Sequence, residues 1–158
     1  MKLLNRRRIT MSITLPALHH VGIVVADAEA AALDHERRWG VTAGPIVDLS
    51  FSQALLSGVP TDVSARYRFI DTGASQIELI EPTSQPSPYD GLLSVGGGVH
   101  HLAYFVDRID VYLDHLRGLG EQVDVTFDAS VADGTRFVYL KGLAHEPAIE
   151  LIETRAAG

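Results

Sequence analysis

Two copies of one sequence pattern constrain the fold of this chain more than any other feature. The segment LHHVGIVV at residues 18–25 is matched by VHHLAYFV at 99–106, and the pentapeptide IELIE occurs at 77–81 and again at 149–153. An acidic, helix-like run follows each His-His segment, and IELIE closes each half. Because the matching segments keep the same order, they indicate two copies of one folding module.

Each copy has the pattern of one strand, one helix and three further strands. Alternating apolar and β-branched residues predict the strands, and an acidic run that stops at a glycine predicts the helix. We therefore predict an α+β protein with βαβββ modules at residues 15–82 and 96–154. A linker rich in Pro, Ser and Gly joins them at 83–95. The basic residues 1–14 are expected to form a disordered leader.

Composition excludes several classes of protein. The chain has no cysteine, which leaves His, Asp and Glu as the residues able to bind a metal. No apolar run is long enough for a membrane span. Four of the 13 basic residues lie in the first ten positions and all 20 acidic residues follow them, so the folded part repels nucleic acid. The leader lacks the apolar region of an export signal, and we expect a cytoplasmic protein.

Period-two alternation assigns the residues of each predicted strand to two faces. Glu78 and Glu150 fall on the face turned away from the helices, whereas Glu81 and Glu153 point outward. The residues of the two first strands that share the face of Glu78 and Glu150 are His20, Gly22 and Val24 in one copy and His101, Ala103 and Phe105 in the other.

Aromatic side chains join this face from the neighbouring strands. A turn centred on residues 73–74 would place Phe69 opposite Glu78, Tyr67 opposite Ile80 and Arg66 opposite Glu81. Phe137 and Tyr139 share the face of Glu150 in the second copy. The aromatic residues predicted to line a substrate pocket, rather than an ordinary core, are Tyr67, Phe69, Phe105, Phe137 and Tyr139.

Two imidazoles and two carboxylates on one face predict a site for one divalent metal ion. His20, Glu78, His101 and Glu150 offer the nitrogen and oxygen ligands that cobalt, nickel, manganese, zinc and iron accept. The alternative is structural pairing of buried His and Glu. We favour the metal because four related positions take part, and because a carboxylate on an apolar strand is costly unless it is paired or coordinated.

The other histidines are assigned structural or surface positions. Alternation turns His19 and His100 toward the helix side, where we expect satisfied structural histidines. His35 and His115 lie on predicted helices and are expected to be solvated. His145 is expected on a surface loop.

The motifs HHVGIVVAD, IELIEP, GGGVHHLAYFVD and AIELIE resemble the vicinal oxygen chelate (glyoxalase/bleomycin resistance/dioxygenase) superfamily, and most of all its methylmalonyl-CoA epimerases. The resemblance spans residues 16–154. It implies paired βαβββ modules that form an eight-stranded, cup-shaped mixed sheet with the helices outside and one metal ion inside. The matching positions for the ligands are His20, Glu78, His101 and Glu150.

The resemblance implies a metal-dependent epimerase or isomerase that removes a proton α to a carbonyl. Its substrate is a small carbonyl compound, with an acyl-CoA thioester as the first choice. Glu150 is the first candidate for the base that removes the proton, Glu78 is the second, and Asp62 is considered only if neither glutamate acts. Residues 141–144 depart from the phosphate-holding turn of the epimerases, and only Lys141 supplies a charge there.

Two other functions share the same fold. One is a glyoxalase I-like lyase of the lactoylglutathione lyase type, which returns the proton to the neighbouring carbon. The other is a non-catalytic binding protein of the resistance type. We expect a homodimer with no nucleic-acid or membrane partner.

Overall fold

Eight strands and three helices make up residues 12–154, the part of the chain that the computed structural model describes. They are β1 (His20–Val24), α1 (Ala28–Trp39), β2 (Val47–Leu56), β3 (Val59–Asp71), β4 (Gln76–Pro82), α2 (Asp90–Leu93), β5 (Gly98–Val106), α3 (Ile109–Gly118), β6 (Val125–Ser130), β7 (Arg136–Leu140) and β8 (Ala148–Glu153). None of these helices is both long and apolar enough to span a membrane.

The predicted leader is only partly within the described residues. Residues 1–11 lie outside them. Of the remainder, Thr14 accepts a hydrogen bond at its carbonyl oxygen from the Tyr112 hydroxyl, 2.9 Å away.

The strands form one closed mixed barrel in the order β1-β4-β3-β2-β6-β7-β8-β5. In each module the first and last strands pair in parallel, β1 with β4 and β5 with β8, whereas the other neighbours within a module are antiparallel. The two modules meet along the antiparallel β1–β5 pair and along a short contact between β2 and β6. The predicted eight-stranded mixed sheet of two βαβββ modules is confirmed.

Alternation along the strands separates the barrel interior from the surface under the helices. Val24, Ile80 and Ala103 lie in the core inside the barrel. Ile77 and Leu79 pack on the α1 side instead, in a separate cluster with Ala32 of that helix. The predicted assignment of these strand faces is confirmed, because a residue and its neighbour in an extended strand point to opposite sides of the sheet.

The register between β3 and β4 follows the turn that the sequence predicted. Phe69 pairs with Glu78, Tyr67 with Ile80 and Arg66 with Glu81. In the second module, Tyr139 pairs with Glu150. The register therefore places aromatic rings directly beside both inward-facing carboxylates.

The outward-facing glutamates of the two IELIE segments hold the N-termini of the helices. Glu81 Oε2 accepts a hydrogen bond from the backbone N–H of Ala28 at 2.9 Å, and Glu153 Oε2 accepts one from the N–H of Ile109 at 2.7 Å. An N-terminal turn leaves backbone N–H groups without helical partners and favours negative charge. Each module thus ties the start of its helix to its last strand.

The two glutamates should contribute unequally to stability. Asp27 also caps α1 through Ala30, whereas Arg108 at the start of α3 makes no side-chain cap. We therefore expect Glu153→Ala to lower the free energy of unfolding by about 1 kcal/mol, the usual cost of a lost cap. Glu81→Ala should cost less. Urea unfolding of both variants measures the difference, and equal losses would contradict capping as the cause.

Candidate metal centre and cavity

Four polar side chains converge inside the barrel, and small residues make room for them. His20 of β1 pairs with Ala103 of β5, and His101 of β5 pairs with Gly22 of β1. The strands that carry the two glutamates, β4 and β8, also place them beside small residues: Glu78 lies beside Gly22, and Glu150 lies beside Ala103. Each module thus contributes one His and one Glu next to a residue with little or no side chain.

The imidazole nitrogens of His20 and His101 and an oxygen of Glu150 lie close enough together to share one ion, all within 4.8 Å of one another. His20 Nε2 is 3.0 Å from Glu150 Oε2 and 3.4 Å from Glu78 Oε2, and His101 Nε2 is 3.1 Å and 3.2 Å from the same two oxygens. The two Nε2 atoms are 3.2 Å apart. Ligands about 2.1 Å from a metal in tetrahedral or octahedral geometry are separated by about 3.0–3.4 Å. These distances therefore fit a divalent ion.

The hydrogen bonding of Glu150 supports the same fit. Its Oε2 atom is buried and accepts no hydrogen bond, although two imidazole nitrogens lie near it. A buried carboxylate oxygen that makes no regular hydrogen bond is costly, whereas coordination would satisfy it. His20, His101 and Glu150 form a cluster that could hold a metal ion. The oxygen of Glu78 lies against both histidines but is not part of this group, so its place as the fourth ligand stays a prediction.

The charges of the four groups depend on one another. Burial disfavours the charged imidazoles, but the adjacent carboxylates Glu150 and Glu78 raise the pKa of His20 to about 10 and that of His101 to about 9. Burial also disfavours the carboxylates, yet the histidines lower the pKa of Glu78 to about 2 and lower the pKa of Glu150. Both carboxylates are therefore ionised at neutral pH, as a metal ligand or a base must be.

A cavity of about 190 Å³ opens onto this cluster. Its wall includes His20, Glu78 and Glu150, whereas His101 is fully buried behind it. All five predicted aromatic residues line the cavity, and Phe105 is 40% exposed. The lining residues that the sequence did not predict are His19, Leu49, Phe51, Val131, Thr135 and Ile152.

A model of the Glyoxalase/Bleomycin resistance protein/Dioxygenase superfamily matches residues 19–139, most of the described chain. The chain belongs to this superfamily. The superfamily member is 32% identical over 108 residues to the ethylmalonyl-CoA/methylmalonyl-CoA epimerase of Cereibacter sphaeroides, across 67% of this chain and 72% of that protein. It is 29% identical over 118 residues to human mitochondrial methylmalonyl-CoA epimerase, across 70% of this chain and 61% of that protein.

Solved structures of epimerases share the fold of this superfamily member. Methylmalonyl-CoA epimerase of Streptomyces coelicolor in complex with 2-nitronate-propionyl-CoA aligns with a TM-score of 0.64 and 24% identity, over 90% of this chain and 97% of that chain. The Mycobacterium tuberculosis enzyme aligns with a TM-score of 0.66 and 22% identity, over 92% and 95% of the two chains. At these identities the likeness establishes the fold.

The predicted positions of His19 and His100 are wrong, because both side chains lie beside the metal-centre histidines. His19 Nδ1 is 2.8 Å from His20 Nδ1, and His100 Nδ1 is 2.9 Å from His101 Nδ1. His100 is the extra residue of a β-bulge, since Gly22 pairs with His101 while the next residue of β1 pairs with Val99. A bulge interrupts strict alternation. His19 precedes the first residue of β1, so the alternation of that strand does not fix its direction.

Tyr89 is a buried residue of the barrel that the sequence placed in the linker. Its hydroxyl lies 3.3 Å from that of Tyr67 and 2.8 Å from that of Tyr139. Burial raises the pKa of all three tyrosines, so they stay protonated. The linker thus supplies a side chain to the barrel interior. No pattern in the linker sequence predicted that Tyr89 would be buried.

Other polar residues considered from the sequence lie away from the cavity. Asp62 is exposed and accepts a hydrogen bond from the backbone N–H of Gln53 at 2.8 Å, so it is not placed to act as the base. Lys141 lines a different cavity. His145 is exposed, as predicted. His35 and His115, predicted to be solvated, are half-buried because their helices pack on the barrel.

Gly22 should be indispensable to this superfamily member, because an added Cβ atom would overlap the His101 ring. We expect Gly22→Ala to displace that ring and reduce bound metal and activity together. Gly118→Ala is the matched control, since a Cβ there meets no atom within 4 Å. Metal analysis of both purified variants tests the prediction. Wild-type metal content in Gly22→Ala would contradict it.

Proposed function

We propose that this superfamily member is a divalent-metal-dependent epimerase that removes a proton α to the carbonyl of a methylmalonyl-CoA-like acyl thioester. The observation that carries the proposal is the position of Glu78 and Glu150. Both carboxylates are buried, ionised at neutral pH and within 3.4 Å of the imidazoles of His20 and His101, at the wall of a largely apolar cavity. The sequence relatives named above are epimerases of such thioesters.

His20, Glu78, His101 and Glu150 would hold the ion. When bound, it supplies positive charge that polarises the substrate carbonyl and makes the neighbouring C–H group more acidic. Side chains of the protein carry out the proton transfer itself. Glu150 is the proposed base, because its carboxylate lies at the cavity wall and its Oε2 atom makes no regular hydrogen bond.

Glu78 is the second group able to move a proton. It lies on the first module, whereas Glu150 lies on the second. Epimerisation removes a proton from one face of the carbon and returns one to the other face, and Glu78 is the alternative to Glu150 as the group that removes it.

The cavity suits the acyl end of the thioester. Its lining residues are mainly aromatic and aliphatic, and the lining contains no Lys or Arg among the described residues. We propose that the short acyl group enters the cavity while the phosphate-bearing part of CoA stays outside it. Lys141 takes no part in binding the acyl group, because it lies at the other cavity.

Hydrogen exchange at the α carbon tests the proposed activity. Metal-loaded protein is incubated with one epimer of methylmalonyl-CoA in D₂O, and deuterium incorporation is followed by mass spectrometry beside inversion of configuration. We expect the wild type to show both deuterium incorporation and inversion, and Glu150→Gln to slow both by roughly a hundredfold or more. His145→Ala is the control, since its side chain is exposed and distant from the cavity lining.

The two alternative functions predict different results in the same assay. A glyoxalase I-like lyase would isomerise the hemithioacetal of methylglyoxal and glutathione and leave methylmalonyl-CoA unchanged. A resistance-type binding protein would catalyse neither reaction, and a stoichiometric divalent ion in the purified protein would count against it. Metal analysis also identifies the ion among cobalt, nickel, manganese, zinc and iron.

The proposed assembly and location are a homodimer in the cytoplasm. Light scattering of the purified protein measures the oligomeric state, and fractionation of the native cells measures the location. A monomer would leave the proposed chemistry intact, because each chain carries both modules of the barrel.

A further inference from the structure

We infer that His100 is a positioning residue that fixes the tautomer and the orientation of His101, so that the Nε2 lone pair of His101 faces the metal centre. The inference rests on the proposed metal site. It begins from the bulge in β5, which turns two consecutive histidines toward the same side of the sheet. Their Nδ1 atoms are 2.9 Å apart, so one of them donates a hydrogen bond to the other.

A backbone carbonyl decides which nitrogen donates. The Nε2 atom of His100 lies 3.2 Å from the carbonyl oxygen of Pro88, and a carbonyl oxygen can only accept. His100 therefore carries its hydrogen on Nε2, and the Nδ1 atom of a neutral ring is then an acceptor. His101 must donate from its own Nδ1. Its Nε2 atom, which points at Glu78 and Glu150, is thus the nitrogen left to bind an ion.

Aromatic packing keeps the two rings in place. The ring of His100 meets Tyr89 edge-on at 5.0 Å and Tyr139 at 4.8 Å between centroids. Tyr139 also stacks on His101 at 4.8 Å. Pro88 and Tyr89 both belong to the segment between the modules, so this segment supports His101 through its contacts with His100.

The first copy of the repeat lacks the same anchor. His19 Nδ1 lies 2.8 Å from His20 Nδ1, but among residues 12–154 no backbone carbonyl accepts a hydrogen bond from the His19 ring. Its ring instead contacts Phe105 at the cavity wall. The repeat therefore offers an internal comparison, with one supporting histidine anchored by a carbonyl and the other not.

Binding of Co²⁺ to the full chain tests the inference. We expect His100→Phe, which keeps the ring shape and removes both nitrogens, to weaken Co²⁺ about 10–100-fold, the usual effect of losing a group that supports a metal ligand. His100→Asn should bind close to the wild-type value, because its side-chain oxygen can accept the same Nδ1–H. Competition with a chromophoric chelator gives the affinities, and His145→Ala is the control.

Tautomers measured by ¹⁵N NMR of the imidazoles provide a readout that needs no variant. In Zn²⁺-loaded protein we expect His100 to carry its hydrogen on Nε2 and His101 to carry one on Nδ1 alone. A wild-type Co²⁺ affinity in His100→Phe, or a hydrogen on Nδ1 of neutral His100, would overturn the inference and leave the proposed function intact. Failure of the wild-type protein to bind any divalent ion would overturn both.

Discussion

Replacing Glu150 by glutamine should reduce turnover by roughly a hundredfold to ten-thousandfold, the usual cost of removing a general base. Glutamine keeps an oxygen that can hold the ion weakly, but it cannot accept a proton at neutral pH. The substitution is close in shape to the carboxylate it replaces, so the barrel should survive. Steady-state rates with methylmalonyl-CoA, measured beside metal content and melting temperature, separate loss of the base from loss of the site.

Glu78→Gln is the matched variant for this test. The internal repeat makes the two glutamates equivalent in sequence, and both lie in the same position beside a parallel strand. We expect the milder effect at Glu78, because the resemblance to methylmalonyl-CoA epimerases implies that either Gln or Glu can stand at this position. An inactive Glu78→Gln variant together with an active Glu150→Gln variant would show that Glu78, and not Glu150, is the base. Activity in both variants would place the base elsewhere.

Removal of His101 should abolish stoichiometric metal binding and activity together. Its Nε2 atom lies 3.1 Å and 3.2 Å from the two carboxylate oxygens and 3.2 Å from the Nε2 atom of His20, so His101→Ala takes away a central member of the cluster. The affinity loss should exceed the roughly 100-fold upper limit for groups that only support a ligand. Elemental analysis after dialysis measures it.

The fold must be checked in the same experiment, because His101 is fully buried and its removal leaves a void in the barrel. Circular dichroism of the metal-free wild type and His101→Ala compares their folds directly. His145→Ala removes an exposed imidazole and should bind metal normally. Full metal occupancy in a folded His101→Ala would show that the ligand set is wrong.

The sequence alone determined the architecture and the faces of the strands. Two ordered copies of the same segments predict two modules, and period-two alternation assigns Glu78 and Glu150 to one side because strand geometry is local. The turn at residues 73–74 fixed the register of β3 on β4 in the same way, since a short hairpin leaves few ways to pair its strands.

The tertiary structure decided the contacts that depend on distant parts of the chain. The bulge at His100 exists only in the pairing of β5 with β1, so no local pattern could have turned that side chain toward His101. Tyr89 and Pro88 reach the site because the segment between the modules folds back against the barrel. The sequence thus determined which residues of the regular strands face the interior. The bulge, the path of the linker and the pairing between the two modules decided which other residues join them and which side chains touch, because these contacts join parts of the chain that are far apart in sequence.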